Sequence, residues 1–206
     1  MVATRLDIQH RHETLFFCPG EYKRPDIHID IYEIRDVATK RQIWEIFRKY
    51  HYLNTDLNPA CRQFVGVING EIVCHTGVIP APMQKNARRL HRSVVLPDYQ
   101  GIGIGMNFKN AVCDYIRHSG YDGIIWSVTT TPAQYHAQVK SPKWKLVRYG
   151  RASRHFSKGT DTATRNRLWK NASTNRITYS FVYVGAEGKE RLPLNPLNKT
   201  QQCLKK

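Results

Sequence analysis

The sequence predicts a mixed α/β fold, a central sheet with flanking helices, built around one β–loop–α–β unit. Three observations predict it. Runs of period two alternate along the chain with runs of helical period. Asn69-Gly70, the strongest short hairpin signal, stands between two apolar runs. A glycine-rich loop, 100–105, leaves one apolar run and enters an amphipathic one.

Residues 1–26 read as an irregular N-terminal arm, since Pro19-Gly20 and Arg24-Pro25 are turn signals. The expected folded domain spans 27–184. Residues 27–34 alternate apolar and polar side chains and read as a strand. Asp36 is placed to cap a helix over Val37 to Tyr50, with Ile43, Trp44, Ile46 and Phe47 as its apolar face. A polar stretch containing Asn54, Asp56, Asn58 and Pro59 follows. Phe64 to Val67 and Glu71 to Ile79 make the hairpin, which Pro80 and Pro82 end. Arg92 to Leu96 reads as a strand, and Met106 to Arg117 as a helix stopped by Ser119-Gly120. Gly123 to Val128 is short and strongly apolar, as a central strand is. Thr130 to Val139 reads as a short helix, and Trp144 to Tyr149 and Ile177 to Val184 as closing strands. Between the last two lies a basic insertion, 151–176. The tail 185–206, broken by Gly188, Pro193 and Pro196, reads as flexible.

The chain has 206 residues, enough for one domain with a real core. Hydrophobic residues make up 41%, which excludes global disorder. No apolar run approaches the ~20 residues of a membrane span. The N-terminus lacks the apolar stretch of a secretory signal, so a cytoplasmic location is expected. Cys18, Cys61, Cys74, Cys113 and Cys203 are odd in number, widely spaced and form no CxxC. Reduced thiols are expected, with no disulfide framework and no zinc site. His10, His12 and Cys18 match no standard metal spacing. Against 16 Asp+Glu stand 32 Lys+Arg, a net charge of +16. An excess of that size points to a polyanionic partner, of which nucleic acid is the commonest, DNA or tRNA here.

The loop carries the chemistry. Gly101, Gly103 and Gly105 let the backbone turn tightly and bring its N–H groups close to a ligand. A helix start adds unsatisfied N–H groups and partial positive charge. Together they make a phosphate or pyrophosphate site. A Walker loop requires GK[ST], but Met106-Asn107 follows Gly105. A dinucleotide fingerprint requires GxGxxG, and the spacing here is GxGxG.

The run Val95-x-Pro97-Asp98-Tyr99-Gln100-Gly101-x-Gly103-Ile104-Gly105 resembles the coenzyme loop of the GNAT superfamily of N-acetyltransferases, Q/R-x-x-G-x-G/A after V-x-P-[DE]-[YW]. The order of elements from about 27 to 184 fits that fold. The resemblance implies that acetyl-CoA, or another acyl-CoA, binds through Gln100, Gly101, Ile102, Gly103, Ile104 and Gly105. It implies that Val94, Val95 and Leu96 offer backbone groups to the pantetheine arm. It implies direct attack of an amine on the thioester, without metal. A narrower resemblance joins Lys49 to Asn54, Arg92 to Gly101 and Ser141 to Trp144 to GNAT domains of phages and prophages. More distantly, His51-Tyr52, Arg92, Ser127 and Trp144 resemble the phage Mom proteins, which modify adenine in DNA. The Mom pattern has an aspartate shortly after the serine and a tyrosine five residues before the tryptophan; here Thr129 to Thr131 and Val139 stand there.

Amine acylation requires a group that takes a proton from the attacking ammonium and one that protonates the leaving sulfur. The GNAT pattern places a tyrosine for the second task in the run that corresponds to Val139 to Trp144, which lacks one. Tyr135, one helical turn earlier, and Ser141 are the substitutes; packing is the plainer role for Tyr135. His51, with Tyr52 beside it, follows the first amphipathic helix and titrates near neutrality, as a general base does; a helix C-cap is its plainer role. Ser127 either lines the cleft or fills a sheet position. Arg92 either binds phosphate or orients the acceptor, against the plainer reading of a surface salt bridge. Arg151, Arg154, Lys158, Arg165, Arg167, Lys170 and Arg176 face one acid, Asp161, and are interleaved with Phe156 and Trp169. Cations hold phosphates and aromatics stack on bases, so this segment is the candidate nucleic-acid contact, against the plainer reading of a solvated loop.

Three functions fit. One is an acyltransferase acting on a nucleic acid or a nucleic-acid-linked amine, phage-type DNA base modification included. The second is an acetyltransferase of a small amine or a protein lysine. The third is a non-catalytic module that binds coenzyme and nucleic acid.

Overall fold

The computed structural model describes residues 2–8, 13–14, 21–22, 26–51, 56–58, 60–81, 84–151, 161–163 and 177–185. The main sheet has eight strands, in the order β1 (Val2–Ile8), β4 (Ile27–Ile34), β5 (Arg62–Ile68), β6 (Glu71–Pro80), β7 (Ala87–Val95), β8 (Ile124–Thr129), β10 (Ile177–Tyr183) and β9 (Trp144–Arg151). Two short strands, β2 (Glu13–Thr14) and β3 (Glu21–Tyr22), pair with each other. Neighbours in the main sheet are antiparallel except β7 and β8, which run parallel. The helices are α1 (Val37–Arg48), α2 (Ile104–His118) and α3 (Pro132–Lys140). The expected mixed α/β sheet and its β–loop–α–β unit are both present, the unit as β7, loop, α2 and β8.

The N-terminus corrects an expectation. The arm 1–26, expected to be irregular, begins with β1, which pairs antiparallel with β4 and sets Leu6 opposite Ile29 and Ile8 opposite Ile27. Pro19-Gly20 and Arg24-Pro25, the turn signals behind that expectation, lie outside the described residues. The residues before them alternate: Leu6 and Ile8 turn to the core, while Arg5 and Asp7 meet partners on β4. Arg5 Nε donates to Asp30 Oδ1 at 2.8 Å, and Asp7 Oδ1 lies 2.6 Å from His28 Nδ1. These exposed cross-strand pairs add little energy but fix the register.

Local chemistry sets the other boundaries. Asp36 caps α1, its Oδ2 accepting from the Thr39 backbone at 2.7 Å. Asn69 and Gly70, at φ 50° and 86°, make the expected hairpin turn between β5 and β6. The strand β7 starts at Ala87, five residues before the expected Arg92, because Arg88, Arg89 and His91 hide its alternation. Pairing with β6, from Pro80 opposite Arg88 to Cys74 opposite Val95, holds it as a strand.

Helices cover both faces of the sheet. Ile104, Phe108, Val112 and Ile116 of α2 pack on Ile29, Ile31, Phe64 and Ile125 in the larger core. Ile43, Trp44 and Phe47 of α1 pack on Val65 and Val94 in a smaller one. Ile46, expected on that apolar face, is 43% exposed, because it lies beside the stripe that the other three define. No helix among the described residues is long and apolar enough to cross a membrane.

Candidate active site

The site begins with a break in the β6–β7 ladder. His75 pairs with Val94 and Gly77 with His91, so Thr76 faces two residues, Arg92 and Ser93. That is a β-bulge, and Arg92 takes its left-handed corner at φ 55°. Such a backbone is unfavourable for a residue with a Cβ and persists only where its surroundings fix it. Two side-chain bonds do so. His75 Nδ1 lies 2.8 Å from the Arg92 carbonyl, and the hydroxyls of Thr76 and Ser93 are 2.7 Å apart.

Before it reaches the bulge, β7 has left its parallel neighbour. Ala87, Arg88 and Arg89 pair with Ile124, Ile125 and Trp126, and the pairing stops there, although β7 continues to Val95 and β8 to Thr129. The two strands therefore present facing backbone edges that do not bond to each other. Val94 packs under α1 and Val95 under α2, so their side chains point to opposite faces and their backbone groups lie along this edge. Leu96 packs toward α1, and its N–H donates to the Val73 carbonyl at 2.9 Å.

The loop then turns into α2 through a 3₁₀ turn, Pro97–Tyr99. Gln100 Nε2 donates back to the Val95 carbonyl at 2.8 Å, tying the loop to the end of β7. Gly101 and Gly103 are left-handed, at φ 83° and 87°. A Cβ on Gly101 would meet nothing within 4 Å, and one on Gly103 only Asn107 Nδ2 at 3.6 Å. The outer side of the loop is thus open. Gly103 is the N-cap of α2 and supplies no side-chain cap. The first N–H groups of α2 are left facing outward, with the partial charge of the helix behind them. Uncapped donors beside two open glycines fit a pyrophosphate, and the diverging β7 and β8 edges fit an extended arm with amide groups.

His51 and Arg92 come together: Arg92 Nη1 lies 3.2 Å from His51 Nδ1. An arginine N–H only donates, so this His51 nitrogen carries its lone pair toward the guanidinium. Proton uptake there competes with Arg92. The Trp44 ring backs both, 5.9 Å from the His51 ring and 5.4 Å from Arg92 Cζ. Two further histidines, His75 and His91, join this end of the site. Burial pushes His75 down to about 4, with the charges of His51 and Arg92 adding to it against the Arg92 hydrogen bond. Burial also pushes His91 down to about 3, helped by Arg92 and Arg89. Both rings are neutral at neutral pH. Sequence reasoning missed them, because a histidine inside an apolar strand carries no signal of its own.

The remaining candidates are spread out. Ser127 is 2% exposed on β8, opposite Phe181 of β10. The Tyr135 ring packs 4.2 Å from Tyr179 and 6.1 Å from Phe181, a core-type role. Ser141 ends α3, and its Oγ accepts from the Lys143 N–H at 3.4 Å. Arg151 closes β9 opposite Ile177. Tyr52, Arg154, Lys158, Arg165, Arg167 and Lys170 lie outside the described residues. So does the tail from 186 onward. Among the described residues, no three His, Cys, Asp or Glu side chains are grouped to hold a metal.

Residues 28–138 match the sequence model of the acetyltransferase (GNAT) family, and the chain belongs to that family. It is an acetyl-CoA-dependent N-acetyltransferase. A comparison with curated proteins gives no match. Among solved structures, the ribosomal-protein-S18-alanine N-acetyltransferase of Escherichia coli is similar at 13% identity and a TM-score of 0.53, over 80% of this chain and 99% of that one. An agmatine N-acetyltransferase is similar at 14% identity and a TM-score of 0.54, over 75% and 98%. A chimeric spermidine N-acetyltransferase from Vibrio cholerae is similar at 11% identity and 0.53, over 75% and 94%. At these identities the likeness shows a shared fold.

Proposed function

We propose that the chain transfers an acetyl group to an amine carried by a nucleic acid or linked to one, with the coenzyme pyrophosphate held at Gln100–Gly105. The observation that carries the acceptor is the net charge of +16, more than one small anionic coenzyme requires. The coenzyme placement is supported by the open glycines and the uncapped start of α2. When bound, acetyl-CoA supplies an activated thioester. The chain binds and orients. The first N–H groups of α2 oppose the pyrophosphate charge, and backbone groups of Val94, Val95 and Leu96 align the pantetheine arm. Arg92 orients the acceptor, and His51 receives the proton of the attacking amine once its contact with Arg92 opens. Tyr135 and Ser141 are the candidates for protonating the departing sulfur, and Ser127 is the candidate for lining the cleft. A narrower form, phage-type modification of a DNA base, draws on His51, Tyr52, Arg92, Ser127 and Trp144. The basic segment 151–176 is the proposed contact for the nucleic-acid backbone.

The test gives the protein acetyl-CoA with duplex DNA, tRNA or spermidine and measures released CoA thiol. Release with a nucleic acid, falling steeply with salt, is the expected result. Release with spermidine alone makes a small amine the acceptor. No release with any of them, while coenzyme binding persists, overturns the nucleic-acid acceptor and leaves a protein amine. For the loop, Gly103→Glu sets a side chain and a negative charge against the pyrophosphate. Its CoA affinity is expected to fall on the order of 100-fold, and unchanged affinity in calorimetry removes the loop from the site.

A further inference from the structure

We infer that His75 is a positioning residue for acetyl transfer: its imidazole replaces a missing ladder donor and locks the Arg92 bulge whose backbone edge receives the acyl end of the coenzyme. The inference rests on the coenzyme placement proposed above and assigns the part of the chain that shapes it.

In a regular antiparallel ladder each buried carbonyl meets a backbone N–H of the neighbouring strand. The bulge breaks that rule at Arg92, because two residues of β7 face one of β6. The carbonyl that would be orphaned accepts from His75 Nδ1 at 2.8 Å instead. A carbonyl only accepts, so Nδ1 carries the proton and Nε2 the lone pair. That fixes one tautomer, the less common one for a free imidazole. His75 is fully buried and sits between the rings of Trp44 and Phe47, with both centroids at 5.4 Å. Its ring has no room to turn away, and Nε2 has no hydrogen-bond partner among the described residues. A single donor bond is thus the main polar work of this side chain. On the other side of the corner, the Thr76 and Ser93 hydroxyls at 2.7 Å close the bulge.

The consequence reaches the cleft. Arg92 and Ser93 lie just before Val94, at the point where β7 has parted from β8. A left-handed corner at Arg92 re-aims the backbone groups that follow it. If the corner relaxes to extended backbone, Val94 and Val95 exchange faces and the edge is lost. His75 therefore acts through Arg92, without itself touching substrate or coenzyme.

The test separates the nucleotide end of the site from its acyl end, using ADP and acetyl-CoA as calorimetric probes. ADP carries the pyrophosphate but no arm. His75→Phe fills the space without a donor. It is expected to weaken acetyl-CoA about tenfold, the scale of one orphaned buried acceptor, and to leave ADP unchanged. His75→Asn places an amide N–H near the Nδ1 position and is expected to restore acetyl-CoA affinity to within about threefold of the parent. Thr76→Val keeps shape and removes the second clamp, with a loss of about threefold expected for acetyl-CoA only. A folded His75→Phe protein that binds acetyl-CoA like the parent overturns the inference, as does a His75→Asn protein that binds it no better than His75→Phe. Gly103→Glu weakens both probes if the loop is the pyrophosphate site; if it weakens neither, the placement fails whatever His75 does. The parent protein gives an independent reading. Its long-range ¹H–¹⁵N imidazole spectrum is expected to show His75 as the Nδ1–H tautomer, unchanged between about pH 5.5 and 8, with Arg92, His51 and His91 around it. An Nε2–H tautomer, or a titration inside that range, overturns the inference without any mutation.

Discussion

The two faces of the sheet are covered by different chemistry. Under α2 the contacts are carbon on carbon: Ile29, Ile31, Phe64, Phe108 and Ile125 are each 1% exposed or less. Under α1, Trp44 and Phe47 close over an imidazole, and Gln63 Nε2 reaches the Lys40 carbonyl at 3.4 Å. Gln63 and His75 are fully buried beside this smaller core. The first face is mostly carbon, with polar contacts at its margin, where Trp144 Nε1 donates to Asn110 Oδ1 at 2.7 Å and the Tyr183 hydroxyl donates to Asp114 Oδ1. The second has exchanged part of its apolar burial for polar groups, of which His75 holds a strained corner in β7. In this fold one face supplies most of the stability and the other shapes the site.

The comparison breaks most directly if the same side chain is removed on each face. Phe108→Ala on α2 is expected to lower unfolding free energy by about 3–5 kcal/mol, as truncation of a fully buried phenylalanine does. Phe47→Ala on α1 is expected to cost about 1–2 kcal/mol less, because the gap opens beside His75 Nε2 and a water can enter and donate to it. Urea unfolding of both variants checks this. Equal losses would mean that the polar groups under α1 do not soften that core, and the contrast between the faces would be one of composition alone.

The same contrast decides what was legible. Periodicity reports carbon, so the elements with a clean apolar stripe or alternation were found: β4, α1, the β5–β6 hairpin and β8. The loop 100–105 was legible because glycine at 101 and 103 answers a backbone requirement, a left-handed φ that the structure has. The start of β7 was hidden by Arg88, Arg89 and His91, which occupy strand positions without apolar alternation. The strand β1 was hidden in the same way by Arg5 and Asp7, whose partners Asp30 and His28 lie more than 20 residues away. The bulge was out of reach for a different reason. It depends on Thr76 meeting two residues across the ladder, and no local pattern in either strand encodes that register. His51 and Arg92 were each chosen as candidates, but their 3.2 Å contact joins residues 41 apart and exists only in the fold.

Acid sharpens the contrast next. The unfolded chain takes up a proton at each histidine near pH 6.5, whereas folded His75 does so only near 4. Between those values the unfolded state binds more protons, so stability rises with pH there. The contribution is fully present above 6.5 and is lost as pH falls toward 4, on the order of 3 kcal/mol for His75 alone. His91 extends the loss toward pH 3. Thermal unfolding between pH 7 and 4 is expected to show the decline, and His75→Asn is expected to remove part of it. A variant with the parent's full pH dependence would place the titrating groups elsewhere.

The smallest expected effect lies on the α2 side and tests whether that face is as apolar as it looks. Two polar side chains enter it between α2 and α3. Lys109 is 4% exposed and donates to Gln134 Oε1 at 3.0 Å, and burial pushes its ammonium down to about 8. Gln138, one helical turn after Gln134, is fully buried, and neither its amide nitrogen nor its oxygen has a partner among the described residues. An amide in that condition has given up water and received nothing. Gln138→Met keeps the length and removes both polar atoms, so it is expected to raise unfolding free energy by about 1 kcal/mol. The experiment is a urea titration of parent and variant, with acetyl-CoA affinity measured alongside. A gain with unchanged coenzyme binding makes Gln138 a polar fault in an otherwise carbon-packed face. A loss of stability would mean that water bridges the amide to Lys109 or the backbone, and that both helices, like β6 and β7 on the other side, are held by a buried polar contact.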